Sequence, residues 1–173
     1  GIEDRGRGAW LIDLGNVALA EGKFDEAIES FDGALALAEA TLTASHPARA
    51  ASLAALGRVH LRREEYGPAR EALLAAKSGL EGSLGAEHPR TAMVLLGLAN
   101  ADEGVGNVVA AEAGYARAAD LLGVPLGRAH DAYRRALLGQ ARTARLSDRQ
   151  EAPVAWLHRA GGGRAGPTPP RGA

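Results

Sequence analysis

The sequence predicts an all-α fold, an α-solenoid of stacked antiparallel helix pairs, and three observations predict it. His46, His88 and His130 stand 42 residues apart. At the same spacing Leu14-Gly15 falls on Leu56-Gly57 and Leu98-Ala99, Phe24 on Tyr66 and Val108, and Ala27 on Ala69 and Ala111. Phe31 falls on Leu73 and Tyr115, and Ala34 on Ala76 and Ala118. Within each unit the apolar positions recur every three or four residues without strict alternation, so helices are expected and strands are not. Units that repeat in this way bury their faces against one another and present a surface rather than a reaction centre.

In the first unit Trp10, Leu11, Leu14, Ala18 and Leu19 mark one helix with an apolar face. Glu21-Gly22-Lys23 ends it, because Gly22 accepts the left-handed conformation common at a helix C-terminus. Phe24, Ala27, Ile28, Phe31, Leu35 and Ala38 mark the second helix, with Asp25 and Glu26 in the first turn where the helix dipole favours acids. His46-Pro47 and His88-Pro89 open the next two units, since proline is tolerated at the first helical position and keeps the residue before it extended. The spacing predicts helices at about 47–63, 66–82, 89–104 and 108–122. The third mark is His130-Asp131, with a helix over 128–146 that begins a little before it. Pro153 limits the last second helix to a short 153–160. The repeat domain is expected over 1–160, in units of about 8–45, 46–87, 88–129 and 130–160. The Gly/Pro-rich tail 161–173 is expected to be disordered.

Composition narrows the function classes. The 20 basic and 21 acidic residues nearly cancel, but residues 1–127 are acidic and residues 128–173 hold 9 Lys/Arg against 3 Asp/Glu. Without cysteine there is no disulfide framework, thiolate zinc site or thiol nucleophile. No apolar run approaches the ~18 residues of a membrane span, so no membrane partner is expected and a cytoplasmic location is. A start at Gly1, without Met or a signal-peptide core, suggests a fragment of a longer protein, and 18 Arg against 2 Lys suggest a GC-rich genome.

Residues that invite a chemical reading have simpler ones. His46, His88 and His130 sit on successive units, too far apart to share one metal ion, and read as turn or capping residues. Gly104-Val105-Gly106 follows a helix rather than a strand, so it is an inter-helix turn and not a dinucleotide loop. Glu64-Glu65 and Asp102-Glu103 read as solvated faces rather than general acid–base pairs. Arg134-Arg135, Arg142 and Arg145 lack the interleaved aromatics of a nucleic-acid surface, so no nucleic-acid partner is expected. No catalytic residue, metal site or cofactor is assigned.

Leu14, Gly15, Gly22, Phe24, Ala27, Phe31 and Ala34 together resemble the tetratricopeptide repeat, and the 42-residue period with its His-Pro marks resembles the kinesin-light-chain-like variety. The resemblance covers about residues 8–160. It implies a right-handed superhelix and a non-enzymatic protein–protein interaction module, part of a bacterial signalling or regulatory protein. It also implies that the first helices line a concave groove. The groove residues carried over are Asp13, Asn16, Arg58, Arg62, Met93, Asn100, Arg142 and Arg145, with Ala9, Ile12, Ala51, Ala54, Ala55, Leu96, Gly97, Arg135, Leu138 and Gly139 beside them. The Asn pair typical of kinesin-light-chain repeats is replaced by Ile12-Asp13, Ala54-Ala55 and Leu96-Gly97, and of a chaperone-type carboxylate clamp only Asn16 is present. Guanidinium groups pair carboxylates, so a protein or peptide partner bearing acidic residues and one or two apolar anchors is expected. An alternative is regulation of an adjoining catalytic or nucleotide-binding domain. The oligomeric state stays open.

Overall fold

A computed structural model describes the backbone of residues 2–43, 46–123 and 130–161, and the side chains of 6–43, 46–123 and 130–148. Among them are seven helices and no strand: α1 Ile2–Ala20, α2 Phe24–Thr41, α3 Pro47–Arg62, α4 Tyr66–Leu84, α5 Pro89–Gly104, α6 Val108–Gly123 and α7 Asp131–Gly161. Each helix packs on its neighbours in the chain, α1 with α2, α2 with α3 and so on to α7, which is the contact order of a solenoid.

The repeat is built by two local devices. The first is the His cap. Nδ1 of His46, His88 and His130 accepts the backbone N–H of Ala48, Arg90 and Ala132, each at 3.1 Å. The ring thereby satisfies one of the N–H groups that a helix start leaves unpaired. His46 and His88 are themselves extended, as a residue before proline must be. The second device is the three-residue turn. Lys23, Glu65 and Asn107 donate back to the carbonyls of Ala18, His60 and Asp102 at 2.8–2.9 Å. The residue before each donor has positive φ: Gly22 at 77°, Glu64 at 59° and Gly106 at 85°. Each pair thus closes through the same left-handed C-terminal motif.

Packing follows the predicted register. Ala27, Ala69 and Ala111 are fully buried, and Phe31, Leu73 and Tyr115 fill the space between units. Phe31 clusters with Leu56 and Val59, Leu73 with Val94 and Leu98, and Tyr115 with Ala132 and Ala136. The large side chain also enters its own helix crossing. A Cβ on Gly15 would lie 2.5 Å from the Phe31 ring, and one on Gly57 the same distance from Leu73. The nearest side chains to these two glycines are therefore Phe31 and Leu73.

Three expectations are corrected. Trp10 and Leu14 were placed on the apolar face of α1, yet they are 60 % and 42 % exposed, with Val17 at 56 %. Their counterparts Leu56, Val59, Leu98 and Ala101 are buried, because a preceding second helix covers them and none among the described residues covers α1. The last helix starts at Asp131 and not before His130, because the His130 ring caps it. Finally, α7 runs unbroken through Pro153 to Gly161. The helix passes through a proline that typically costs about 3 kcal/mol in a helix interior. Residues 124–129 and most of the expected tail lie outside the described residues.

Candidate functional site

The first helices touch across units, α1 with α3, α3 with α5 and α5 with α7, whereas α2, α4 and α6 do not touch one another. The stack therefore curves towards the first helices, and they line its inner side. One inner position repeats down the stack as Asn16, Arg58, Asn100 and Arg142, alternating amide and guanidinium.

The two halves of this ladder differ. Arg58 donates through Nη2 to Asn16 Oδ1 at 2.8 Å, a neutral acceptor. Among the described residues it has no carboxylate partner. Its side chain is open at its outer edge, yet enough protein surrounds it that burial pushes its pKa down. Arg62, one turn further along α3, is exposed and likewise without an ion pair among the described residues.

Arg142 is instead held within the fold. Its Nε and Nη2 donate to the two carboxylate oxygens of Glu103, the parallel pair that suits a guanidinium. The Tyr115 hydroxyl lies 2.8 Å from Glu103 Oε2 and 2.6 Å from Asn100 Oδ1, so its one proton serves either acceptor. Asn100 donates to the Leu96 carbonyl at 3.1 Å. The hydrogen bond from Arg142 holds the Glu103 carboxyl below its usual range, and the same bond raises the Arg142 pKa. Burial and then the Glu103 bond push the Tyr115 hydroxyl up.

Two depressions flank the ladder. One of about 780 Å³ is lined by Arg58, Leu61, Arg62, Tyr66, Asn100, Glu103, Arg135 and Arg142. Apart from Glu103, its charged side chains are all arginines; Arg135 pairs with Asp131 at 2.9 Å. The second, of about 530 Å³, lies between α1, α2 and α3 and is mainly apolar, with Ala9, Ile12, Asp13, Leu37 and Ala51 in its wall. The structure thus brings Arg58, Arg62, Asn100 and Arg142 together, ties Asn16 to them through Arg58, and sets Asp13 apart in the smaller depression. Met93, 42 % exposed, and Arg145, exposed on α7, line neither.

Glu103 and Tyr115 were missed as inner-face residues, and Asp102-Glu103 is not a solvated face. Asp102 is buried and accepts Arg70 Nε at 2.7 Å. Glu103 stands three residues after Asn100, on the same side of α5, so helical spacing alone could have placed it. Among the described residues no group of three or more His, Asp or Glu side chains is arranged to hold a metal ion, and no helix is long and apolar enough to cross a membrane.

An inner face lined by repeated first helices defines the class, a helical-repeat scaffold. Residues 7–81 match the tetratricopeptide repeat family, and the helix pairs have the fold of kinesin-light-chain-like repeats. It is similar to the nearly identical TPR-like repeats of a Podosopora anserina kinesin-light-chain-type protein, at 24 % identity and TM-score 0.67 over 88 % of this chain and 72 % of that one. It is also similar to BtubC (BKLC) from P. vanneervenii, at 18 % identity and TM-score 0.72 over 96 % of this chain and 68 % of that one. The Sgt2 TPR domain from Aspergillus fumigatus matches at 18 % identity and TM-score 0.60, over 95 % of this chain and 88 % of the domain. No protein with a curated description matches the chain. Repeats of this family generally mediate protein–protein interaction.

Proposed function

We infer that the chain is a non-enzymatic interaction module, acting in the cytoplasm within a bacterial signalling or regulatory protein, and that its inner face binds a peptide or protein segment bearing acidic residues. The observation that carries this reading is Arg58. A guanidinium partly withdrawn from water and bonded only to a neutral amide gains most from an incoming carboxylate. Arg62 beside it supplies a second cation, and Leu61 and Tyr66 offer apolar contact in the same depression. Ile12 and Leu37 wall a separate seat for an apolar anchor.

Arg58→Glu with Arg62→Glu tests this reading by fluorescence anisotropy against a library of acidic peptides with apolar anchors. Binders of the unmodified chain should lose affinity at least tenfold, more steeply at low salt, with helical content unchanged. Equal binding by the double variant would remove the inner face from the reading.

The exposed stripe of Trp10, Leu14 and Val17 favours a second reading, in which the module covers or regulates an adjoining catalytic or nucleotide-binding domain of the same polypeptide. In that case substitutions on the stripe, and not at Arg58, would alter the joined protein's activity.

A further inference from the structure

Among the described residues nothing covers the side of α7 that faces away from the stack, whereas the same side of every other first helix is covered. In the first three units this side is the seat of the unit's own second helix. Gly15, Gly57 and Ala99 are buried there, and their counterpart Ala141 is exposed. Leu95 is buried, and Leu11 and Leu53 are partly so, whereas Leu137 is 41 % exposed. Leu137, Ala141 and Ala144 follow one another at helical spacing, so the open side is a continuous apolar strip.

The sequence that would fill it is present in the distal part of α7. In the 42-residue register Leu157 takes the place of Phe31, Leu73 and Tyr115, and Ala160 that of Ala34, Ala76 and Ala118. The turn has its counterpart as well. Gly22, Glu64 and Gly106, the three positive-φ residues, fall on Asp148. Aspartate is among the few residues besides glycine that enter the left-handed region readily. Pro153 is strained inside a long helix but acceptable in the first turn of a new one. Proximal to that point α7 is tethered to α6, where Ser147 Oγ donates to Glu112 Oε2 at 3.1 Å.

We propose that α7 is a two-state element: it opens at Ser147-Asp148-Arg149, and residues 150–161 fold back as the second helix of a fourth unit, seated on Leu137, Ala141 and Ala144. The occupant is this chain's own segment, joined by a three-residue turn of the same length as the other three. Trp156 stands where the other units have Ser30, Ala72 and Gly114, so the segment sits further from its first helix than theirs do. The straight helix is then the open form. It leaves a helix-sized docking face on the element that carries Arg142 and Arg145, and the folded-back segment is the strap that closes it.

The chain has no cysteine, so spin labels at Arg134→Cys and Arg159→Cys report the geometry directly. A straight α7 holds these positions about 38 Å apart at 1.5 Å per residue. The folded-back segment brings them below about 20 Å, given helix axes 8–10 Å apart. Pulsed dipolar spectroscopy should show the short distance. Asp148→Gly should raise its share, and Asp148→Ala with Pro153→Ala should convert the sample to the long one, with helical content confirming that each variant folds. A single long distance unaltered by Asp148→Gly would overturn the proposal. So would a short distance that vanishes when labelled chain is diluted with unlabelled chain, because the segment would then be seated on a second copy.

Discussion

Arg142 of α7 reaches back to Glu103 of α5 through two parallel hydrogen bonds, tying one first helix to the next across the inner face. Tyr115 of α6 lies under the same carboxylate, so three helices meet at one acid. The Arg142 side of the pair is more than half exposed, so solvent screens it and a modest contribution is expected. Its sign with pH is still determined. The folded pKa of Glu103 lies below its unfolded value, near 4.3. The stabilisation is complete above that value and is lost as the pH falls through the folded pKa. Urea melts between pH 7 and pH 3 should show a steeper acid loss for the unmodified chain than for Glu103→Gln. Parallel curves would mean that the pair contributes nothing net.

Tyr115→Phe isolates the hydroxyl from the ring. The ring still fills the gap over Gly139, where a Cβ would lie 2.5 Å from it. Asn100 and Glu103 lose their shared donor. A loss of about 1 kcal/mol is expected, the usual net value of one hydrogen bond. Gly139→Ala attacks the same place sterically and should cost about 1–3 kcal/mol by overpacking. If Gly139→Ala were neutral in thermal and urea melts, the Tyr115 ring would have to be looser than its full burial indicates.

The His caps allow a substitution series. His88→Ala removes the acceptor for the Arg90 N–H and should lower stability by about 1 kcal/mol, whereas His88→Asn or His88→Ser supplies another capping oxygen and should restore most of it. A drop of the same size for Asn and Ala would show that the ring matters through packing and not through its nitrogen.

The helix pairs were legible because their period is written in large and small residues that answer to packing, as Phe31, Leu73 and Tyr115 do. The His-Pro marks gave the cap positions because proline constrains its own φ and its neighbour's backbone. Inner-face chemistry was less legible. Arg142 reads as a free groove cation until Glu103 is seen beside it, and the partner lies 39 residues away, one 42-residue repeat less about one helical turn. Asp102 reads as solvated because its cover, Arg70, belongs to another unit. The exposure of Leu14 was illegible for a similar reason, since the repeat pattern assigns each position a face but does not indicate whether a neighbour covers it.

That last point gives a prediction in which one substitution at three equivalent positions has unequal effects. Leu14, Leu56 and Leu98 occupy the same place in successive units, but Leu14 is 42 % exposed while Leu56 and Leu98 are 7 % and 9 % exposed. Leu56 clusters with Phe31 of the preceding second helix, and Leu98 with Leu73. Removing a buried leucine side chain typically costs 2–5 kcal/mol, the transfer term plus the cavity left behind. Leu56→Ala and Leu98→Ala should therefore lower stability by about 2–5 kcal/mol each. Leu14→Ala removes a side chain that already meets water and should cost below about 1 kcal/mol. Equilibrium urea melts of the three variants, with matched slopes, decide the matter. Equal losses at all three positions would mean that something covers Leu14 in solution. A concentration-dependent melting midpoint for the unmodified chain, abolished by Leu14→Asp, would then identify the cover as another copy of the chain.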